Sequence, residues 1–120
     1  MLVDSHCHLD RLDLAQHDGS LDAALQAARD RGVGHFLCIG VSADNAAAVK
    51  AIAERYADVD CSVGIHPLDL QADQQPALDW LLAELAHPRV VAIGETGLDY
   101  HYEPDAAPRQ REAFRLHLEA

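Results

Sequence analysis

Three groups of residues in this chain have types and spacings that can do chemistry. The first is Asp4-Ser5-His6-Cys7-His8. Along a strand, alternate side chains point the same way. His6 and His8 therefore share a face with Asp4, and Cys7 takes the other. Two imidazoles on one face of a strand end can chelate one divalent ion. Asp4 can serve as a further ligand or as an acceptor that orients a histidine ring. The same short pattern also fits ordinary polar residues at a strand end. The second group is Gly64-Ile65-His66-Pro67. Pro67 restricts His66 to extended backbone, which holds the ring near the end of the preceding apolar run or leaves it as a capping or loop histidine. The third is Gly94-Glu95-Thr96-Gly97-Leu98-Asp99-Tyr100. The two carboxylate oxygens of Glu95 can each serve one ion, and Gly94 and Gly97 leave room for close approach. Thr96 and Asp99 offer hydrogen bonds to a substrate or to the loop itself. Asp99 and Tyr100 fit a solvated turn equally well.

These groups need a scaffold, and the apolar pattern supplies one. Short apolar runs recur at Leu2–Val3, Phe36–Ile39, Val59–Val63 and Val90–Ile93, and Gly40, Gly64 and Gly94 follow the last three. Helical patterns lie between the runs. Leu21, Ala24, Leu25 and Ala28 form one stripe, with Ser20 as cap and Gly32 beyond its end. A second helix starts after Ser42 and is expected to bury Ala46, Val49, Ile52, Ala53 and Tyr56. A third has Pro76 near its first turn, carries Leu78, Leu81, Leu82 and Leu85, and stops before Pro88. A fourth opens near Pro108 and is expected to bury Phe114 and Leu118. Strands alternating with helices imply an α/β fold with a parallel sheet and right-handed crossovers. His6, His8, His66 and Glu95 then fall at strand C-terminal ends, where parallel α/β enzymes carry out their chemistry. His17, His35, His87, His101 and His117 read as loop, helix-end or helix-surface histidines, with His101, beside Asp99, kept as a second choice.

Composition narrows the function further. The chain has 120 residues, with 9 Lys and Arg against 20 Asp and Glu, for a net charge of −11. An apolar content of 49% suits one folded domain spanning 1–120 and argues against disorder. The acidic balance argues against gripping phosphate backbones by surface charge alone. Arg109, Arg111 and Arg115 are the longest basic cluster. The N-terminus has no basic start and no long apolar run, so neither a signal peptide nor a membrane anchor is expected. Cys7, Cys38 and Cys61 are widely spaced and form no CxxC pair, so no disulfide framework or cysteine zinc site is indicated, and the cytoplasm is the expected compartment.

The stretches Val3-Asp4-Ser5-His6-Cys7-His8-Leu9-Asp10, Gly64-Ile65-His66-Pro67 and Gly94-Glu95-Thr96-Gly97-Leu98-Asp99-Tyr100 resemble the TatD family of metal-dependent hydrolases. Arg109-Gln110 and Phe114 are similar to that family's helix after strand four. The resemblance implies a TIM barrel, one or two divalent ions (Mg, Mn or Zn) and deoxyribonuclease activity. It assigns His6 and His8 to one metal, Glu95 to a bridging and catalytic role, and His66 and Asp99 to the substrate side. DNA would then be engaged through metal ions rather than a basic surface. A closed eight-unit barrel needs about 250 residues. The expectation is therefore four βα units forming the N-terminal half of a (β/α)8 barrel, without the remaining ligands and the catalytic aspartate of later strands. Such a chain is expected to be a truncated, weakly active or inactive hydrolase, or a non-catalytic half-barrel that binds metal or oligomerises. Bare sheet edges would favour self-association. A phosphoesterase of the polymerase-and-histidinol-phosphatase type shares HxH, but the GETGLDY stretch argues against it.

Overall fold

The computed structural model describes residues 1–70 and 76–120. Four strands alternate with four helices: β1 (Leu2–Cys7), α1 (Leu21–Arg29), β2 (Val33–Cys38), α2 (Ala43–Arg55), β3 (Val59–Val63), α3 (Leu78–Leu85), β4 (Val90–Ile93) and α4 (Ala107–Glu119). The strands pair in parallel in the order β1-β2-β3-β4. Local chemistry sets the boundaries. The Ser20 hydroxyl accepts from Ala23 N and opens α1. Ser42 and Asn45 form a reciprocal capping box on α2. Gly32, at φ +92°, turns the chain from α1 into β2.

One side of the sheet carries the core. Phe36, Cys38, Val59, Cys61, Val63 and Val90 pack there against Leu25 of α1 and Val49, Ala53 and Tyr56 of the α2 region. The opposite side, with Leu37, Ser62 and Ala92, lines an open cavity of about 300 Å³. Among the described residues each outer strand has one neighbour, and most of β1 is exposed, including Leu2 and Val3. Far from the site, Arg89 donates to the carbonyls of Ala53, Tyr56, Ala57 and Val59, tying the exit of α2 to β3.

Two helices differ from their apolar patterns. Leu82 of α3 is exposed while Leu81 is fully buried. On α4 the expected burial of Phe114 and Leu118 does not hold: Leu118 is 71% exposed and Phe114 only half-buried. The buried face is instead Gln110, Ala113 and His117. These residues lie at i, i+3 and i+7, so they share one stripe. Backbone groups of neighbouring loops face that stripe, and they need polar partners rather than apolar ones.

The glycines after the strands do two different jobs. A Cβ at Gly40 would meet Ser62 O at 2.6 Å, and one at Gly64 would meet Gly94 Cα at 2.7 Å and Glu95 O at 3.0 Å. Both are close-approach positions. Gly94, at φ +146°, is needed for its backbone conformation. Gly64→Ala is expected to cost about 1–3 kcal/mol through overpacking against backbone that cannot move aside. Gly34→Ala should cost far less, because its Cβ meets only the flexible Met1 side chain. Urea denaturation of both variants checks this; equal losses would show that the crossing at Gly64 is not tight.

Candidate metal centre

The backbone beyond the strands places the site. Ile39 N donates to Cys7 O, His66 N to Val41 O, Gly94 N to Val63 O and Glu95 N to Gly40 O, at 2.6–2.9 Å. The Glu95 bond joins the segment after β4 to the segment after β2. It therefore passes over the end of β3, where Gly64 has no side chain to obstruct it.

His6, His8 and Glu95 converge at this edge, with one potential ligand atom from each lying within 4.8 Å of the others. The two imidazoles stand edge to face, with centroids 5.2 Å apart. The Glu95 carboxylate lies between two histidines: Oε2 is 3.5 Å from His6 Nε2, and Oε1 is 3.6 Å from His66 Nε2. Two nitrogens and a carboxylate suit a divalent transition ion or zinc. Among the described residues, His8 Nδ1 is buried and has no hydrogen-bond partner, so the ring's own hydrogen bonding is incomplete. The donor set therefore fits a divalent cation.

His66 is set up differently. Its Nδ1 accepts from Leu68 N at 3.1 Å. In the neutral ring the proton then sits on Nε2, so His66 presents an N–H to Glu95 and to the space beside it.

Asp4 departs from its expected place. Asp4 pairs with Phe36 and Cys7 with Cys38, three residues against two, so a bulge interrupts the alternation. Asp4 is outside the metal-compatible group. Its carboxylate accepts from His6 N at 3.2 Å and so props the bulge rather than a histidine ring. Cys7 does turn away from the histidines: its Sγ donates to Leu37 O, and burial, then Asp4 and Cys38, push its thiol up to about 12. Asp99 lies on the loop after β4, where its carboxylate accepts from His101 N at 3.0 Å. Its backbone is held by the fully buried Gln110, whose amide takes Asp99 N and gives to Asp99 O, both at 2.8 Å. The ring of His101 rests edge-on against Tyr102.

The sequence reading missed His117. It is 1% exposed rather than on a helix surface. Nε2 accepts from Ile65 N at 2.9 Å and Nδ1 donates to Ala113 O at 2.7 Å. Helix α4 thus grips both site loops, through Gln110 at Asp99 and through His117 next to His66. The available signal was the seven-residue spacing of two polar residues with Ala113 between them, but their partners are backbone groups distant in sequence.

Comparison with known proteins places the chain. Its sequence matches the family described as TatD related DNase over residues 3–120. The chain belongs to the TatD family. It is 38% identical over 118 residues to the uncharacterized metal-dependent hydrolase YcfH of Escherichia coli K12, covering 98% of this chain and 44% of that protein. It is 32% identical to the uncharacterized metal-dependent hydrolase YabD of Bacillus subtilis, over 96% of this chain and 44% of that one. The crystal structure of YjjV, a TatD homolog from Escherichia coli K12, superposes with a TM-score of 0.80 at 31% identity, over 98% of this chain and 45% of that chain. The chain spans about half the length of the curated relatives it matches. Its four βα units are the N-terminal half of a (β/α)8 barrel.

Burial lowers the proton affinity of His117 in the folded state. The unfolded chain takes up that proton near pH ~6.5. Its contribution to stability is therefore complete above that pH and is lost as pH falls from there through the folded pKa, at up to about 1.4 kcal/mol per pH unit. His117→Gln keeps a donor and an acceptor but cannot titrate, so its stability should fall less steeply below pH ~6.5. Parallel slopes in urea titrations of the two proteins would contradict this.

Proposed function

We propose that this chain carries the metal-binding edge of a hydrolase that cleaves phosphodiester bonds of DNA. The observation that carries the reading is the convergence of His6, His8 and Glu95 on one point at the C-terminal edge of a parallel sheet. A bound divalent ion lowers the pKa of its water and neutralises charge on phosphoryl oxygens. The chain's own residues do the rest. His6 and His8 would hold an ion through ring nitrogens. Glu95, whose carboxylate lies between His6 and His66, would hold it with them and could share it with a second ion. His66, with its proton on Nε2, donates to an anionic substrate oxygen rather than binding metal. Asp99 serves the substrate side through a loop held in place by Gln110.

On this reading an acidic chain would engage DNA phosphates through bound ions rather than through lysines. Among the described residues no helix is long and apolar enough to cross a membrane. The free thiols Cys7, Cys38 and Cys61 suit the reducing cytoplasm. Calorimetric titration with Mn²⁺ or Zn²⁺ should show binding that weakens roughly tenfold or more in His6→Ala and Glu95→Ala. On single-stranded DNA the isolated chain should turn over slowly or not at all. Robust cleavage lost in those variants would show that the four units suffice for catalysis.

A second reading follows from the open edges. Leu2 and Val3 on β1 and Val91 on β4 are exposed on strands with one neighbour each. Parallel sheets are normally covered on both faces, and bare edges recruit strands. The isolated chain should therefore pair with a second copy of itself. Light scattering at micromolar concentration should give a mass above the monomer, and a clean monomer would count against this reading.

A further inference from the structure

We propose that Asp10 is the positioning residue for His8: when His6, His8 and Glu95 hold a divalent ion, the Asp10 carboxylate accepts the His8 Nδ1–H and turns Nε2 to the ion. The inference rests on the metal-binding reading above.

Among the described residues, two atoms on the loop after β1 are buried without a partner, His8 Nδ1 and Asp10 Oδ1. They are complementary, one a ring nitrogen able to carry a proton and the other an acceptor. They stand two residues apart on the short turn Leu9–Arg11, which closes through Arg11 N donating to His8 O at 3.0 Å. The Asp10 carboxylate is only 9% exposed. Its other oxygen is already held, accepting from Asn45 Nδ2 at 3.1 Å and facing Arg11 Nε at 3.6 Å. Asn45 is itself fixed, because its Oδ1 accepts from Val41 N and Ser42 N at the start of α2. The carboxylate is therefore anchored to a helix terminus by one oxygen, with the second left over.

A buried carboxylate oxygen without a donor is costly. His8 can supply that donor only in one tautomer. A ring nitrogen that binds an ion is unprotonated, so in the neutral imidazole the other nitrogen carries the proton. With Nε2 on the ion, the proton sits on Nδ1, buried away from water, and needs an acceptor. Asp10 Oδ1 is the unpartnered acceptor on the same turn. Asp4 is exposed, and its Oδ1 accepts from His6 N, so it leaves no buried oxygen in need of a donor. Ion binding would fix the tautomer, and the tautomer would satisfy both orphaned atoms. Carboxylate-to-imidazole hydrogen bonds of this kind orient metal-bound histidines.

The test uses the whole chain labelled with ¹⁵N at histidine and titrated with Zn²⁺. Long-range ¹H–¹⁵N correlation reads the His8 tautomer, and calorimetry reads affinity. The expected result is a slowly exchanging Nδ1–H on His8 that appears with zinc. Asp10→Asn keeps the size but removes the charge, and should weaken zinc binding roughly 10–100-fold and speed exchange of that proton. Equal affinity with an unchanged His8 signal in a folded Asp10→Asn chain would overturn the proposal. So would zinc on Nδ1 in the unsubstituted chain, a result that does not depend on the variant folding. If zinc binds but His6→Ala and Glu95→Ala bind it equally well, the metal-binding reading itself fails, and the inference with it.

Discussion

Gly94 and Glu95 cross the end of β3 where Gly64 leaves no side chain in the way, and the site depends on that crossing. It lets Glu95 N reach Gly40 O, beyond β2. The carboxylate is thereby delivered toward His6, which comes from β1 at the far edge of the sheet. Without the crossing, a residue following β4 would stay three strand spacings from the histidines at the end of β1. Neighbouring strands lie about 4.8 Å apart, so three strand spacings separate β1 from β4, too far for one cation to span without help from the loops. The hydrogen bonds between the segments beyond the strands bring side chains from the ends of the sheet's two outer strands to one point.

The loops are held from outside by α4. Gln110 and His117 are buried polar side chains in what a helical pattern would reserve for apolar ones. Each satisfies loop backbone that would otherwise be buried and unpaired. The buried face of the helix is accordingly Gln110, Ala113 and His117, while Leu118 stays exposed. Its role is to hold loop geometry, with Ala113 providing a close contact between the two polar positions.

Much of the fold could be read directly. The strand runs, the Ser20 and Ser42 caps, the Gly32 turn and the stripes of α1 and α2 all rest on local rules, which depend only on near neighbours. His6, His8 and Glu95 were also legible as candidates, since HxH and a carboxylate after a buried strand have few uses in common. Where structure and pattern differ, the cause is non-local. Strict alternation puts Asp4 on the face of His6 and His8, and a one-residue bulge breaks it. Hydrophobic periodicity favours Phe114 and Leu118 over His117, because it cannot register a backbone partner 52 residues away, as at Ile65.

By itself the sequence determined the element order, the parallel α/β class, the residue types at the strand ends and the family resemblance. Each of these follows from local pattern or motif. Only the tertiary structure decided which of those residues meet. It put Glu95 between His6 and His66, gave His66 Nδ1 the Leu68 N–H to accept, turned Asp4 to the backbone, and left Asp10 Oδ1 without a partner among the described residues. The physical reason is that these outcomes depend on distances between segments far apart in the chain. Such distances are set by sheet register, a missing Cβ and loop hydrogen bonds, none of which a residue pattern encodes.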